Sequence, residues 1–344
     1  MRDATTDRMG KEHSVKQLTR RILGRREASL VILLLVILIP ISIRSPQFLS
    51  GTNINRIAND MSILTIVAIG EFFVILSNGI DLSVGSIIAF SGMASGMLNE
   101  VYPSVPVFFI LLLGIGIGAV MGAVNGMLVA YGKIPPIITT LGTMSIYRGL
   151  TFVLSGGTWV TAHEMTPNYI GFPRQTFLGI SALIWMALIV IVVTYYFSRF
   201  TRPGREIYAI GGNATAAKFV GVNEKRIRLM VFVISGTLFG FAGSLWTARY
   251  ASAVNEMATG FEMQAVAACV LGGVNFAGGA GVIPGVVLGA LFLGVLNNAL
   301  PVIYLSTFYQ TLVQGMVVLL ALILNTVVDT RKTRKLLEQR RKQS

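Results

Sequence analysis

The chain has 344 residues, of which 53% are apolar and only 12% charged, and its mean hydropathy is +0.71. A soluble domain carries about 25% charged residues, so the composition excludes a soluble fold and makes the lipid bilayer the expected environment. The net charge of +13 does not mark a nucleic-acid binder, because the basic residues sit in two tails and one loop beside apolar spans, where topology signals belong.

Residues 1–27 form a polar tail with eight basic and four acidic residues. The apolar run that follows starts near Ala28 and lacks a small-x-small cleavage site, so it is not read as a secretory signal. Continuous apolar runs predict spans at about 28–43, 61–77, 84–98, 105–129, 137–154, 179–197, 229–248, 264–276, 282–300 and 307–328. They are unbroken rather than alternating, which calls for helices. The expected fold is therefore an all-α integral membrane protein with about ten transmembrane helices. Residues 28–328 form the transmembrane domain, and 329–344 form a basic C-terminal tail.

An even number of spans puts both tails on one side, together with Lys133 and the loop 198–228. That side then holds 23 basic residues, against four (Arg44, Arg56, Arg174 and Arg249) in the outside loops. The split predicts that both termini are cytoplasmic. Thr52–Asp60 and Ser155–Leu178 are expected as the longer outside loops. The aromatic residues of the second suit an interfacial belt, or a vestibule that receives a docked partner or a polar solute.

Glycines recur every fourth residue at Gly114, Gly118, Gly122 and Gly126, again at Gly236 and Gly240, and at Gly281, Gly285 and Gly289. Small residues at that interval let membrane helices approach closely, so these positions are read as packing. The lone cysteine, Cys269, lies in an apolar run and is read the same way.

Three carboxylates lie in or beside apolar runs, where ionisable groups are costly. Asp81 or Ser83 is placed to cap the third span, and Glu262 lies in the first turn of the eighth, where the helix dipole favours it. Glu71 lies mid-run and is expected to face the bundle interior. Gly132 to Pro136 stops one helix and restarts another. The span after it carries Thr139, Thr140, Thr143 and Arg148, and hydroxyls in a span meet other helices or line a wet path. The stretch Leu271–Gly281, which contains Asn275, is too glycine-rich for a regular helix.

Ser198–Arg228 is the only long polar interruption, with seven basic and two acidic residues. By charge alone it is a solvated basic loop. At its centre, however, Gly211 and Gly212 are expected to turn the chain, Asn213 to N-cap a helix of about two turns over Ala214–Val220, and Gly221 to end it. A short helix bearing Ala214, Ala216 and Ala217 would fit a groove on another protein. No nucleotide-binding loop, H-E-x-x-H pair or G-x-S-x-G elbow occurs, and two histidines with one cysteine make a metal site an unsuitable expectation.

Four stretches together resemble the permease subunits of bacterial carbohydrate ABC importers, the family of the ribose, rhamnose and autoinducer-2 permeases. They are Gly79–Ser86; Asn125–Gly126 through Lys133–Pro136 and Thr140–Thr143 to Tyr147–Gly149; the loop with Gly204, Arg205, Tyr208, Gly211–Asn213, Ala216, Ala217, Gly221 and Val222; and Ala265–Gly285. The resemblance implies a permease in the bacterial inner membrane that moves a monosaccharide or an autoinducer-2-like derivative from periplasm to cytoplasm. It implies a second permease copy, two cytoplasmic ATPase subunits holding ATP and Mg, and a periplasmic sugar-binding protein. This chain itself needs no cofactor and catalyses no reaction.

The family's coupling helix maps onto Asn213–Val220, within a loop whose contact residues include Gly204, Arg205, Phe219 and Val222. Glu71, Asp81, Ser83, Thr139, Thr140, Thr143 and Asn275 are expected in the translocation path or gate, and Trp159, Tyr169 and Arg174 at the binding-protein dock. Ala267–Gly273 and Thr247–Tyr250 lean towards the rhamnose and autoinducer-2 branch. The path of such permeases makes few sugar contacts, which leaves specificity mainly to the binding protein. The competing expectations are an ion-coupled secondary transporter, motivated by Glu71, Asp81 and the broken helices, and a membrane scaffold without transport.

Overall fold

The computed structural model describes residues 38–43 and 45–302, with scattered positions from 309 to 323. The tails 1–27 and 329–344, most of the expected span 28–43 and much of 307–328 lie outside the described residues. The described part is helical: α1 (Gly51–Leu76), α2 (Val84–Val101), α3 (Val107–Ala130), α4 (Pro136–Ser155), α5 (Pro167–Gly171), α6 (Ala182–Phe200), α7 (Arg202–Phe219), α8 (Glu224–Tyr250), α9 (Phe261–Leu271) and α10 (Ile283–Val302). A two-residue hairpin, Thr176–Phe177 with Ile180–Ser181, is the sheet among these residues. Six helices, α1, α3, α4, α6, α8 and α10, are long and apolar enough to cross a membrane.

The central post is α1. Every residue from Ser62 to Ser77 is buried, with α6, α8, α9 and α10 packed around it. Burial on all faces explains its unbroken apolar run. The outer helices present large apolar side chains outward, among them Phe108 and Val120 on α3, Ile138 and Val153 on α4, and Ile189 and Val193 on α6. With no apolar core left to join, those faces suit lipid. Thr52–Asp60 is not a loop but the first turns of α1. Ser50 caps it by accepting from the Asn53 N–H, so the helix runs about 15 Å beyond its apolar run.

The glycine ladder closes α3 on α8. A Cβ on Gly118 would run into the Gly236 carbonyl, one on Gly122 into the Phe232 carbonyl, and one on Gly240 into the Gly114 carbonyl. Gly285 and Gly289 likewise admit the backbone of α9 at Gly272 and Ala268. Cys269 is fully buried, with its thiol 3.1 Å from the Ala68 carbonyl oxygen.

The loops gather at two ends. At the basic end, Gly79 lies against Pro136, and the Gly279 N–H donates to the Leu76 carbonyl at 3.0 Å. At the opposite end Asn99 bonds Thr166, Val160 pairs with Ala253, and Ser181 donates to Asn59 at 2.7 Å. Among the described residues, the segments expected on one side of the membrane thus share one end; the two tails expected with them lie outside the described residues.

Candidate functional site

The loop at the basic end is built as two helical pieces. α7 begins at Thr201, whose side chain accepts from the Gly204 N–H, and it breaks at Asn213, where the backbone is extended (φ −161°, ψ 99°). The break, not the glycine pair, makes the turn: Gly211 and Gly212 are helical. Asn213 caps the second piece, its Oδ1 accepting from the Ala216 N–H at 2.9 Å. Gly221 stops that piece in the left-handed region at φ 86°, with Val222 N–H donating to Ala217 and Gly221 N–H to Lys218. These paired bonds satisfy carbonyls that the last turn would otherwise leave open.

Gly211 has a different task. A Cβ there would strike the Leu76 carbonyl and the backbone of Gly279, so glycine lets α7 seat on the end of α1 and on the Gly-rich loop 272–281. The Tyr208 hydroxyl donates to the Gly281 carbonyl at 2.9 Å. Burial pushes its pKa up from the ordinary value, against a smaller opposing pull from Arg199, so it stays a donor. Arg228, paired with Glu224 at 2.8 Å, also reaches the Ser77 carbonyl. The first piece of α7 and the start of α8, which flank the capped helix, are thereby both held against the end of the central post.

The second piece does not present its alanines outward as a group. Ala217 is 4% exposed and Ala214 packs on the core, while Ala216 is exposed. The outward residues of most consequence are Phe219 and Val220, at 87% and 79% exposure. Arg205 points outward and Gly204 is buried against Phe197 and Ser198.

Six of the residues expected in the path lie inside the protomer. Glu71, Asp81, Ser83 and Thr140 are fully buried, and Thr139 and Thr143 are nearly so. The loop 77–83 folds back so that the Asp81 N–H donates to Glu71 Oε1 at 3.1 Å. Asp81 Oδ1 accepts from the Ser83 N–H at 2.8 Å and from its hydroxyl at 2.5 Å. This is a turn before α2 rather than a cap on it, since Ser83 holds the N-cap position without a side-chain cap bond. Asn125 donates to Ser83 Oγ at 2.8 Å, and Tyr147 lies 3.1 Å from Asn125 Oδ1. The Thr140 hydroxyl donates to the Ile80 carbonyl at 3.2 Å. The cluster locks the fold-back of 77–83 against α1, α3 and α4. Asn275 sits apart in the Gly-rich loop, where its Oδ1 accepts from the Ala277 N–H.

At the opposite end Trp159 is exposed, but Tyr169 is fully buried and donates to the Ser244 carbonyl at 2.7 Å. Tyr169 therefore fixes the 155–181 segment to α8 and offers nothing to a docking partner. Arg174 lines a polar cavity of about 590 Å³ with Arg56, Asn59, Asp60, Arg249 and Tyr250, in which Arg249 pairs with Asp60 at 3.1 Å.

The feature not anticipated from the sequence is a broken span. After α8 the chain turns back as a strap, 251–260, built largely of successive turns, which runs down α2 before α9 starts. Ala253 faces Gly96, Met257 faces Gly92, and the Ala258 carbonyl lies against Gly85. The sequence signal was the run 264–276, whose 13 residues fall short of the ~17 needed to span.

Residues 53–322 match the family described as branched-chain amino acid transport system / permease component. The chain belongs to this permease family. It is 36% identical to the ribose import permease protein of Haemophilus influenzae over 326 residues, which is 94% of this chain and 99% of that one. It is 37% identical to the D-allose transport system permease protein of Escherichia coli, covering 87% and 90% of the two chains. With the galactose/methyl galactoside import permease protein of Escherichia coli it shares 33% identity over 89% and 96%. No solved structure matches. The family description names amino acids and these relatives name sugars. The relatives match nearly end to end, and they give the leaning towards a rhamnose or autoinducer-2 branch no support.

Proposed function

We propose that this chain is the membrane-spanning permease subunit of an ATP-binding cassette importer that carries a monosaccharide of the ribose, allose or galactose kind into the cytoplasm. The observation that carries the reading is the match of at least 87% of the chain to three relatives, each named for movement of such a sugar. In this reading the chain sits in the bacterial inner membrane with about ten spans and both termini inside, and it works with a second permease copy. Energy enters from a separate ATPase carrying ATP and Mg, which seats on the capped helix Asn213–Val220. Phe219 and Val220 are the anchors, because two large apolar side chains exposed beyond the membrane call for a cover.

A periplasmic sugar-binding protein docks at the opposite end. Arg56 and Arg174 in the polar cavity suit an acidic partner surface, and Trp159 is exposed at the same end. The ion-coupled alternative finds no support in the relatives, each named as the permease protein of a sugar import or transport system. Purification from native membranes in mild detergent tests the assembly. The ATPase is expected to co-elute with the permease in equal copies, and a permease that elutes with no ATPase contradicts the reading.

A further inference from the structure

The broken span places polar groups where lipid cannot meet them. From Gly96 to Gly85 the helix α2 descends about 16 Å at 1.5 Å per residue, and the strap covers that drop between Ala253 and Ala258. Gly85 lies about 24 Å below Val101, the last residue of α2, which brings the strap's lower turn into the interior of a hydrocarbon layer about 30 Å thick. There α9 begins, with Gly260 at its N-cap and Glu262 in its first turn.

One side of this element is packed. Phe261 and Ala265 are buried, and Phe261 meets Trp246 edge-on at 4.9 Å. The other side is more open in the protomer: Glu256, Thr259 and Met263 are exposed, Gln264 is half-buried, and Glu262, also half-buried, sets its carboxylate against Gly85 of α2. The Thr259 hydroxyl donates to the Glu256 carbonyl at 2.6 Å, which leaves its oxygen as an acceptor, and Gln264 accepts from Asn297 at 3.2 Å.

Carboxylates at this depth face a water-filled space or a protein interior, not lipid. Non-helical backbone at membrane depth obeys the same rule. The strap is also held from behind. Arg148, a cation inside α4, donates to the Asn255 carbonyl at 2.9 Å and the Met257 carbonyl at 3.0 Å. Asn255 is pinned in turn by the Ser155 hydroxyl at 2.6 Å.

We propose that the open side of this broken span, carrying Glu256, Thr259 and Gln264, is the sugar-contacting wall of the translocation route, with Arg148 as the positioning residue that fixes it. The assignment to sugar rests on the function proposed above. Carboxylates accept from sugar hydroxyls, while Thr259 and Gln264 offer further polar contacts. A few groups strung along a wall bind a polyol weakly at several points, as passage requires.

The test uses the assembled transporter in proteoliposomes, with reporter cysteines and a charged, membrane-impermeant thiosulfonate. The native thiol, Cys269, is fully buried, so the unmodified chain supplies the blank. Thr259→Cys and Gln264→Cys are expected to react about tenfold or more faster than Val193→Cys on the lipid face, since the reagent needs a hydrated thiolate. Ribose with its binding protein and ATP is expected to slow that labelling several-fold.

Arg148→Ala is expected to change the labelling rate of the Thr259→Cys reporter, and Arg148→Lys to restore it. Co-elution with the ATPase checks the fold of each variant, and Gln264→Cys carries the test if Thr259→Cys fails that check. Labelling no faster than at Val193→Cys overturns the wall. Labelling that sugar leaves unchanged, in a transporter that does take up ribose, keeps the wet wall and overturns its contact with sugar. Labelling with no sugar uptake by the unmodified transporter overturns the sugar assignment alone.

Discussion

Phe219→Asp is expected to abolish ATP-driven uptake while leaving the permease inserted in the membrane at its normal yield. Phe219 makes no core contact to lose, being 87% exposed on the last turn of the capped helix. Covering such a side chain at an interface is worth about 2–3 kcal/mol, and a desolvated carboxylate in its place adds a penalty of similar size. Together they weaken ATPase seating by about a thousandfold or more.

The contrast is Ala217→Glu one turn-face away. Ala217 is 4% exposed, so the glutamate would be forced into the protomer and the yield itself is expected to fall. Uptake and co-elution of the ATPase, measured on both variants, separate an interface from a buried position. Normal uptake by Phe219→Asp would remove the capped helix from the coupling role.

Gly118→Leu is expected to prevent stable folding, whereas Gly116→Leu, two residues away, is expected to be nearly neutral. A Cβ on Gly118 would run into the Gly236 carbonyl and the Gly240 backbone, while one on Gly116 meets nothing within 4 Å. The obstacle at Gly118 is backbone on both sides, which cannot rotate away as a side chain can. α3 and α8 would have to separate along the whole ladder, because Gly114, Gly122 and Gly126 share the same seam. Overpacking of even a yielding core costs about 1–3 kcal/mol, and a rigid contact falls beyond that range. Membrane yield and detergent melting temperature read the difference. Equal stability of the two variants would mean the seam is not the tight contact described.

The bundle was legible because its rules are local to the sequence. Apolar runs marked the helices α2, α3, α4, α6 and α8 to within about five residues, and the four-residue glycine interval marked the α3–α8 seam. The capped helix was legible for the same reason: Asn213 and Gly221 act on their own neighbours. What was not legible depends on partners distant in sequence. α1 starts well before its apolar run because Asn53 and Asn59 find partners in Asn298 and Ser181. Tyr169 reads as an interfacial aromatic until Ser244 buries it.

The burial of the residues expected in the path has the same origin. Glu71 and Asp81 drew attention as charges in apolar runs, yet the loop 77–83 folds back and buries both inside the protomer, the Asp81 N–H donating to Glu71. Glu256 and Thr259 look like loop residues outside a span. They lie along α2 because Gly85, Gly92 and Gly96 give the strap a groove there.

Uptake into proteoliposomes tests the central claim most directly, with the permease, its ATPase and its binding protein supplied together or singly. The expected result is ribose, allose or galactose uptake that requires ATP and both partners, with none driven by a proton or sodium gradient through the permease alone. Gradient-driven sugar uptake by the permease alone, or ATP-driven uptake of branched-chain amino acids without sugar, would contradict it.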